Sequence, residues 1–128
     1  MTDGWDAQCK VFLDQHKCLQ NLCITGVDGH AFGTSSPDFR IPCDLVLKLI
    51  PALTDCSKTS FNFMDEKYII LTRDPHWLIS KCGKKTIILY CTGRICLFGQ
   101  AIDGDMNNCN PGNLAMSLIC DFYKKSGF

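Results

Sequence analysis

The sequence has no excess of charge of either sign: thirteen Lys and Arg stand against thirteen Asp and Glu in 128 residues. A balanced chain offers no broad electrostatic footprint to a polyanion, which argues against wholesale nucleic-acid binding. No apolar run approaches the roughly 20 residues that a membrane-spanning helix needs. The opening Met1-Thr2-Asp3-Gly4-Trp5-Asp6 has neither the basic nor the apolar segment of a secretory signal, so a cytosolic compartment is expected. Chemistry-bearing constellations are missing too. His16, His30 and His76 fall in separate segments without metal-ligand spacing, no Cys-x-x-Cys occurs, and there is no Gly-x-Ser-x-Gly. Gly26 and Gly29 are too few for a phosphate loop, and Asp103 with Asp105 falls short of a calcium loop. With no base–nucleophile pairing, no enzymatic activity, metal or cofactor is expected.

Cysteine, by contrast, is abundant, with ten in the chain. A cytosolic context and scattered spacing predict reduced, structural thiols rather than a disulfide framework. Cys23, Cys91, Cys96 and Cys120 lie inside apolar segments, where a thiol acts as a small hydrophobe. Cys91 and Cys96 flank a hairpin turn, which can bring them near each other. Cys109, in a polar stretch, is the most exposed candidate for a thiol nucleophile. Hydrophobic residues make up 46% and charged ones 20%, the balance of an ordinary globular domain covering 1–128.

The strongest local pattern runs from Lys67 to Gly99. Tyr68–Arg73, Trp77–Lys81, Thr86–Cys91 and Arg94–Gly99 read as strands, the last two separated by Thr92-Gly93, a hairpin signal. Thr-Gly is a less favourable hairpin turn than Asn-Gly, since the first turn residue can also need positive φ. Both strands are apolar almost throughout, which predicts a sheet covered on both faces. Before this meander, a helix is predicted from about Gly4 to His16, with Trp5, Cys9, Phe12, Leu13 and His16 on one stripe and Asp3 as N-cap. Strands follow at Asn21–Gly26 and His30–Gly33, joined by Val27-Asp28-Gly29. Pro42–Thr54 reads as a second helix, with Pro51 expected to kink or end it near Ile50. Phe61 and Phe63 alternate as in a further strand. Asp103–Asn113 reads as a polar loop, and Asn110-Pro111 as the opening of a last helix with Leu114, Leu118, Ile119 and Phe122 as its apolar stripe. Lys124 and Lys125 suit that helix's negative end, and Gly127 its C′ position. The order defines an α+β fold: an antiparallel sheet with helices at both ends of the chain.

Several motifs, in one order along the chain, resemble the profilin family. They are Trp5, Gly26-Val27-Asp28-Gly29-His30-Ala31-Phe32, Asp38-Phe39 before Pro42, Lys67-Tyr68-Ile69-Ile70, and Thr92-Gly93 with Leu97-Phe98-Gly99. Pro111-Gly112-Asn113, Asp121-Phe122-Tyr123 and Gly127-Phe128 complete them. The resemblance implies a central antiparallel sheet with the N- and C-terminal helices on one face and a shorter helix or helices on the other. It also implies a cytoplasmic, cytoskeleton-associated protein that binds monomeric actin, proline-rich segments and, often in the family, phosphoinositides.

Proline-rich ligands are pre-ordered as polyproline II and dock on aromatic grooves. Carried over by position, that groove is expected at Trp5, Gln8, Phe32, Phe122, Tyr123 and Phe128. Gln8 stands where the family commonly has Tyr and Phe32 where it has Trp, changes that shrink the groove. The resemblance places actin contacts at Lys67, Arg73, Lys81, Lys84, Lys85, Arg94 and Asn113. Two other functions stay open on the sequence: a profilin-like proline-rich or lipid-binding adaptor with little or no actin binding, and a thiol-dependent redox protein.

Overall fold

The computed structural model describes residues 3–102 and 109–128. Its elements run in the order α1 (Asp3–Gln15), β1 (Asn21–Gly26), β2 (Ala31–Thr34), α2 (Cys43–Ala52), β3 (Ser60–Phe63), β4 (Glu66–Asp74), β5 (Trp77–Cys82), β6 (Lys85–Cys91), β7 (Ile95–Ile102) and α3 (Cys109–Lys125). The seven strands form one antiparallel sheet in the order β2-β1-β7-β6-β5-β4-β3.

Strands apolar at successive positions are buried on both sides, and here they feed two cores. Leu89, Cys91, Cys96, Phe98, Leu78 and Ile87 meet Leu45, Val46 and Leu49 of α2 on one face. Ile88, Tyr90, Ile95, Leu97, Leu22 and Ile24 meet Cys9 of α1 and Met116, Ile119 and Tyr123 of α3 on the other. α1 lies over β1 and β2, and α3 over β6 and β7. The terminal helices thus share one face and α2 holds the opposite one, as the resemblance implied.

Local chemistry explains most boundaries. Pro42 precedes the first turn of α2, where a missing N–H costs nothing. Pro51 lies one residue from the helix end, so the expected break comes at the C-terminus rather than as a mid-helix kink. The β6–β7 turn differs from expectation by one residue. Thr92 N–H donates to the Ile95 carbonyl at 3.0 Å, so the central residues are Gly93 and Arg94. Gly93 takes φ +103° and Arg94 keeps a negative φ, the arrangement of a hairpin turn with glycine first. That register removes the demand on Thr92.

The larger correction concerns α3. Leu114, Leu118 and Phe122 are exposed, at 62%, 50% and 50%, and of the expected stripe only Ile119 is buried. The buried face is Ala115, Met116, Ile119, Cys120 and Tyr123. A small Ala, a thiol and a flexible Met are weak signals beside two leucines, yet they allow the close approach. A Cβ at Gly99 of β7 would stand 2.4 Å from the Met116 sulfur. α3 also begins at Cys109, within the stretch expected to be loop. Asp103 and Asp105 lie outside the described residues.

Candidate functional site

The two ends of the chain meet at one groove. In α1, residue 5 falls one turn before Cys9, whose buried sulfur faces the sheet, so Trp5 lies at the edge of the packed stripe. Two features seat it there. Thr34 N–H of β2 donates to Asp6 Oδ1 at 2.8 Å, pinning the first turn of α1. Beneath it, Gly33 lets the backbones close up: a Cβ at that position would stand 2.6 Å from the Trp5 Cβ.

The other wall comes from α3 and its cap. Gly127 N–H donates to the Lys124 carbonyl at 3.2 Å, and Phe128 N–H to the Tyr123 carbonyl at 2.9 Å. Gly127 takes φ +98°, which a residue with a Cβ resists. These are the paired bonds of a Schellman cap, whose apolar contact joins the residue after the glycine to the last turn of the helix. That contact is Phe128 against Tyr123, centroids 6.0 Å apart. The helix end therefore folds Phe128 back onto Trp5, 5.5 Å away edge-on.

Trp5 stacks on Tyr123 at 5.7 Å and 22°. Tyr123 is buried, and burial pushes its phenol well above the usual tyrosine pKa. Its hydroxyl donates to Gln8 Oε1 at 2.5 Å. Gly4, Trp5, Gln8, Phe122, Tyr123, Ser126 and Phe128 line the resulting groove, about 290 Å³ in volume. Five of the six residues expected at an aromatic site line it. Phe32 does not; it backs Trp5 from the β2 side at 5.2 Å and lines a neighbouring depression with Asp6 and Arg40. Phe12 carried no such expectation, yet it meets Phe122 at 5.5 Å and Tyr123 at 5.8 Å. Its place on the α1 stripe was the available signal.

The cations expected on one sheet face are divided by the structure. Lys67 and Ile69 point away from the α2 core, because their neighbours Tyr68 and Ile70 are part of it. Lys81 is the register partner of Ile69 and shares its side, though it is buried. Lys84 is exposed in the β5–β6 turn. Arg73 faces the α2 side instead, opposite Leu78, and its Nη1 donates to the carbonyls of Ala52 and Asp55 at 2.8 and 2.7 Å. Lys85 is likewise engaged, with Nζ 2.6 Å from Glu66 Oε1, and that bond raises its pKa. Arg94 occupies the β6–β7 turn at the other end of the sheet, beyond the Cys91–Cys96 pair, whereas Lys67 lies beyond the level of Thr86. At about 3.3 Å per residue, the two are separated by upward of about 20 Å along the strands. Asn113 Oδ1 accepts from the Tyr90 hydroxyl at 2.5 Å. Beside Lys67, Ile69 and Leu71 are exposed at 45% and 55%, a patch the charge pattern did not reveal.

A seven-stranded sheet between α2 and two terminal helices, with an aromatic groove where the start of α1 meets the end of α3, defines a small α+β domain. The chain belongs to the profilin family, whose model matches residues 3–118, and that family is non-enzymatic. Among solved structures it is similar to Acanthamoeba castellanii profilin IA, with 19% identity, a TM-score of 0.83, and coverage of 97% of this chain and 99% of that one. Rat profilin 2a matches with 14% identity, a TM-score of 0.75 and coverage of 100% and 99%. LokiProfilin1, solved in a complex with rabbit actin, matches with 16% identity, a TM-score of 0.69 and coverage of 95% and 98%. Comparison with curated proteins finds no match. Among the described residues, no helix is long and apolar enough to cross a membrane.

Proposed function

We propose that this protein binds monomeric actin and proline-rich segments, acting in the cytoplasm in association with the cytoskeleton. The observation that carries the reading is the convergence of Trp5, Tyr123, Phe122 and Phe128 from opposite ends of the chain on one exposed groove. A polyproline II helix is already ordered before it binds and gives up little further entropy on docking, so flat rings that shed water on contact suffice to hold it. Actin binding is assigned to the separate β4–β5 surface, where exposed Ile69 and Leu71 sit beside Lys67 and Lys84. Its support is family membership, together with a similar fold solved in a complex with actin. Exposed lysines on that surface would also serve an anionic headgroup such as a phosphoinositide.

One observation favours a proline-rich adaptor with weak actin binding. Arg73 and Lys85 are held by internal partners, which leaves the cationic surface smaller than the sequence count suggests. An assembly assay with pyrene-labelled actin, run with and without poly-L-proline, separates the two. The actin reading expects slower spontaneous assembly at a several-fold molar excess of the protein, with no relief from poly-L-proline. Unchanged assembly, with poly-L-proline still bound, leaves the adaptor.

A further inference from the structure

We propose that Cys91 and Cys96 form a redox modification site, a dithiol that a hydroperoxide closes to a cross-strand disulfide. The site follows from the turn. Because Gly93 and Arg94 are its two central residues, Thr92 and Ile95 face each other across it. The Thr92 N–H donates to the Ile95 carbonyl and the Ile95 N–H to Thr92 Oγ1 at 3.2 Å, and the next pair inward is Cys91 with Cys96. Cys91 N–H points the other way, donating to the His76 carbonyl at 2.8 Å. Cys91 and Cys96 are therefore a non-hydrogen-bonded pair, the position where antiparallel backbones approach closest and facing side chains meet. Such backbone separations fall within the range a disulfide spans. The two Sγ atoms are 3.2 Å apart, with one thiol donating to the other sulfur.

The contact also divides the chemistry between the two residues. The hydrogen bond with Cys96, together with burial, raises the Cys91 thiol, and the same bond favours the Cys96 thiolate. The Cys96 thiolate attacks one oxygen of hydrogen peroxide. The O–O bond breaks, hydroxide leaves and is protonated to water, and Cys96 becomes a sulfenic acid. The Cys91 sulfur then displaces hydroxide from the Cys96 sulfur, and its own proton completes the second water. Two thiols are oxidised to one disulfide as one peroxide is reduced to two waters. Both sulfurs are buried, but the pair lies next to the exposed Gly93-Arg94 tip, and the oxidant is little larger than water. A bridge across so short a loop removes little entropy from the unfolded chain, so it serves as a reversible modification rather than a structural staple. It is independent of either binding surface.

The test uses the full chain, reduced, freed of reductant and treated with one equivalent of hydrogen peroxide. Remaining thiols are alkylated in denaturant and the protein is digested with trypsin. Cleavage after Arg94 leaves the bridge joining peptide Thr86–Arg94 to peptide Ile95–Lys124, and fragment ions distinguish Cys96 from Cys109 and Cys120. The expected result is that this linkage dominates, that the thiol count falls from ten to eight, and that dithiothreitol restores it. Cys91→Ser should abolish the linkage and leave a sulfenic acid at Cys96 that dimedone captures. Alkylated Cys91 alongside oxidised thiols elsewhere would overturn the proposal, as would a dominant bridge to Cys109 or Cys120.

Discussion

At the scale of single residues, Trp5 shows how little of a site is its own chemistry. It is placed by Asp6 bonding to β2, by the missing Cβ of Gly33, and by rings on three sides. The tryptophan near the start of the chain and the aromatic end were legible as neighbours, and the structure brings them to one groove. Gly33 was not, because nothing in a strand's sequence announces that a helix backbone will rest on it. Phe32 was expected in the groove; it stands behind Trp5 on the β2 side, so it supports the tryptophan without lining the groove. Trp5→Ala should weaken poly-L-proline binding on the order of 1 kcal/mol or more, the scale of an aromatic pair with its buried area. The intrinsic fluorescence change on binding should vanish with it, since Trp77 stacks on Tyr90 in a different part of the sheet. A variant that binds as the parent does would move the site elsewhere.

At the scale of elements, strands were read well and helix faces less so. β-branched runs and Asp-Gly or Thr-Gly turns declare themselves locally, and β1 was expected with the bounds the structure has. The buried face of α3 depends on how closely β7 lets it approach at Gly99, a long-range fact that period alone cannot supply. The cap of that helix was legible, since Gly after a lysine-rich last turn is a local signal. Gly127→Ala should cost about 1 kcal/mol through positive-φ strain. It should also loosen Phe128 and lower poly-L-proline affinity, as urea unfolding and titration would show. Arg73 is the opposite case. Its charge suggested a partner surface, yet it holds the C-terminal end of α2, where backbone carbonyls lack helical partners. Arg73→Ala should destabilise by roughly 2 kcal/mol, the scale of a charge-assisted hydrogen bond, and leave actin affinity near the parent's. A loss of actin binding at unchanged stability would return Arg73 to the interface.

At the scale of the whole molecule, two properties are set by no single element. One is alkaline lability. Burial pushes the Cys9 thiol up to about 12 and raises Cys23, Cys120, Tyr68, Tyr90 and Tyr123 in the same direction. These acids keep their protons in the fold. Stability is therefore whole below about pH 8.5, where a free thiol ionises, and falls toward pH 12 as the unfolded chain releases protons first. Urea midpoints under reductant should fall steadily above pH 9; a flat series would contradict that burial. The other property is the layout of charge. Six cations lie within residues 67–94 against one acid, Asp74, which reads in sequence as a single basic face. Folding disperses them: two are tied internally, one is buried, and Arg94 is set at the far end of the sheet. An acidic partner docking on exposed Ile69 and Leu71 would feel Lys67 at close range and Arg94 weakly, since exposed charges beyond about 10 Å are largely screened at moderate salt. Lys67→Glu should accordingly slow association with actin and weaken binding, more at low salt than at high. Arg94→Glu should do markedly less, and the double variant should equal the sum of the two, as distant sites do. Equal effects from the two single reversals would mean that the actin surface spans the sheet from end to end.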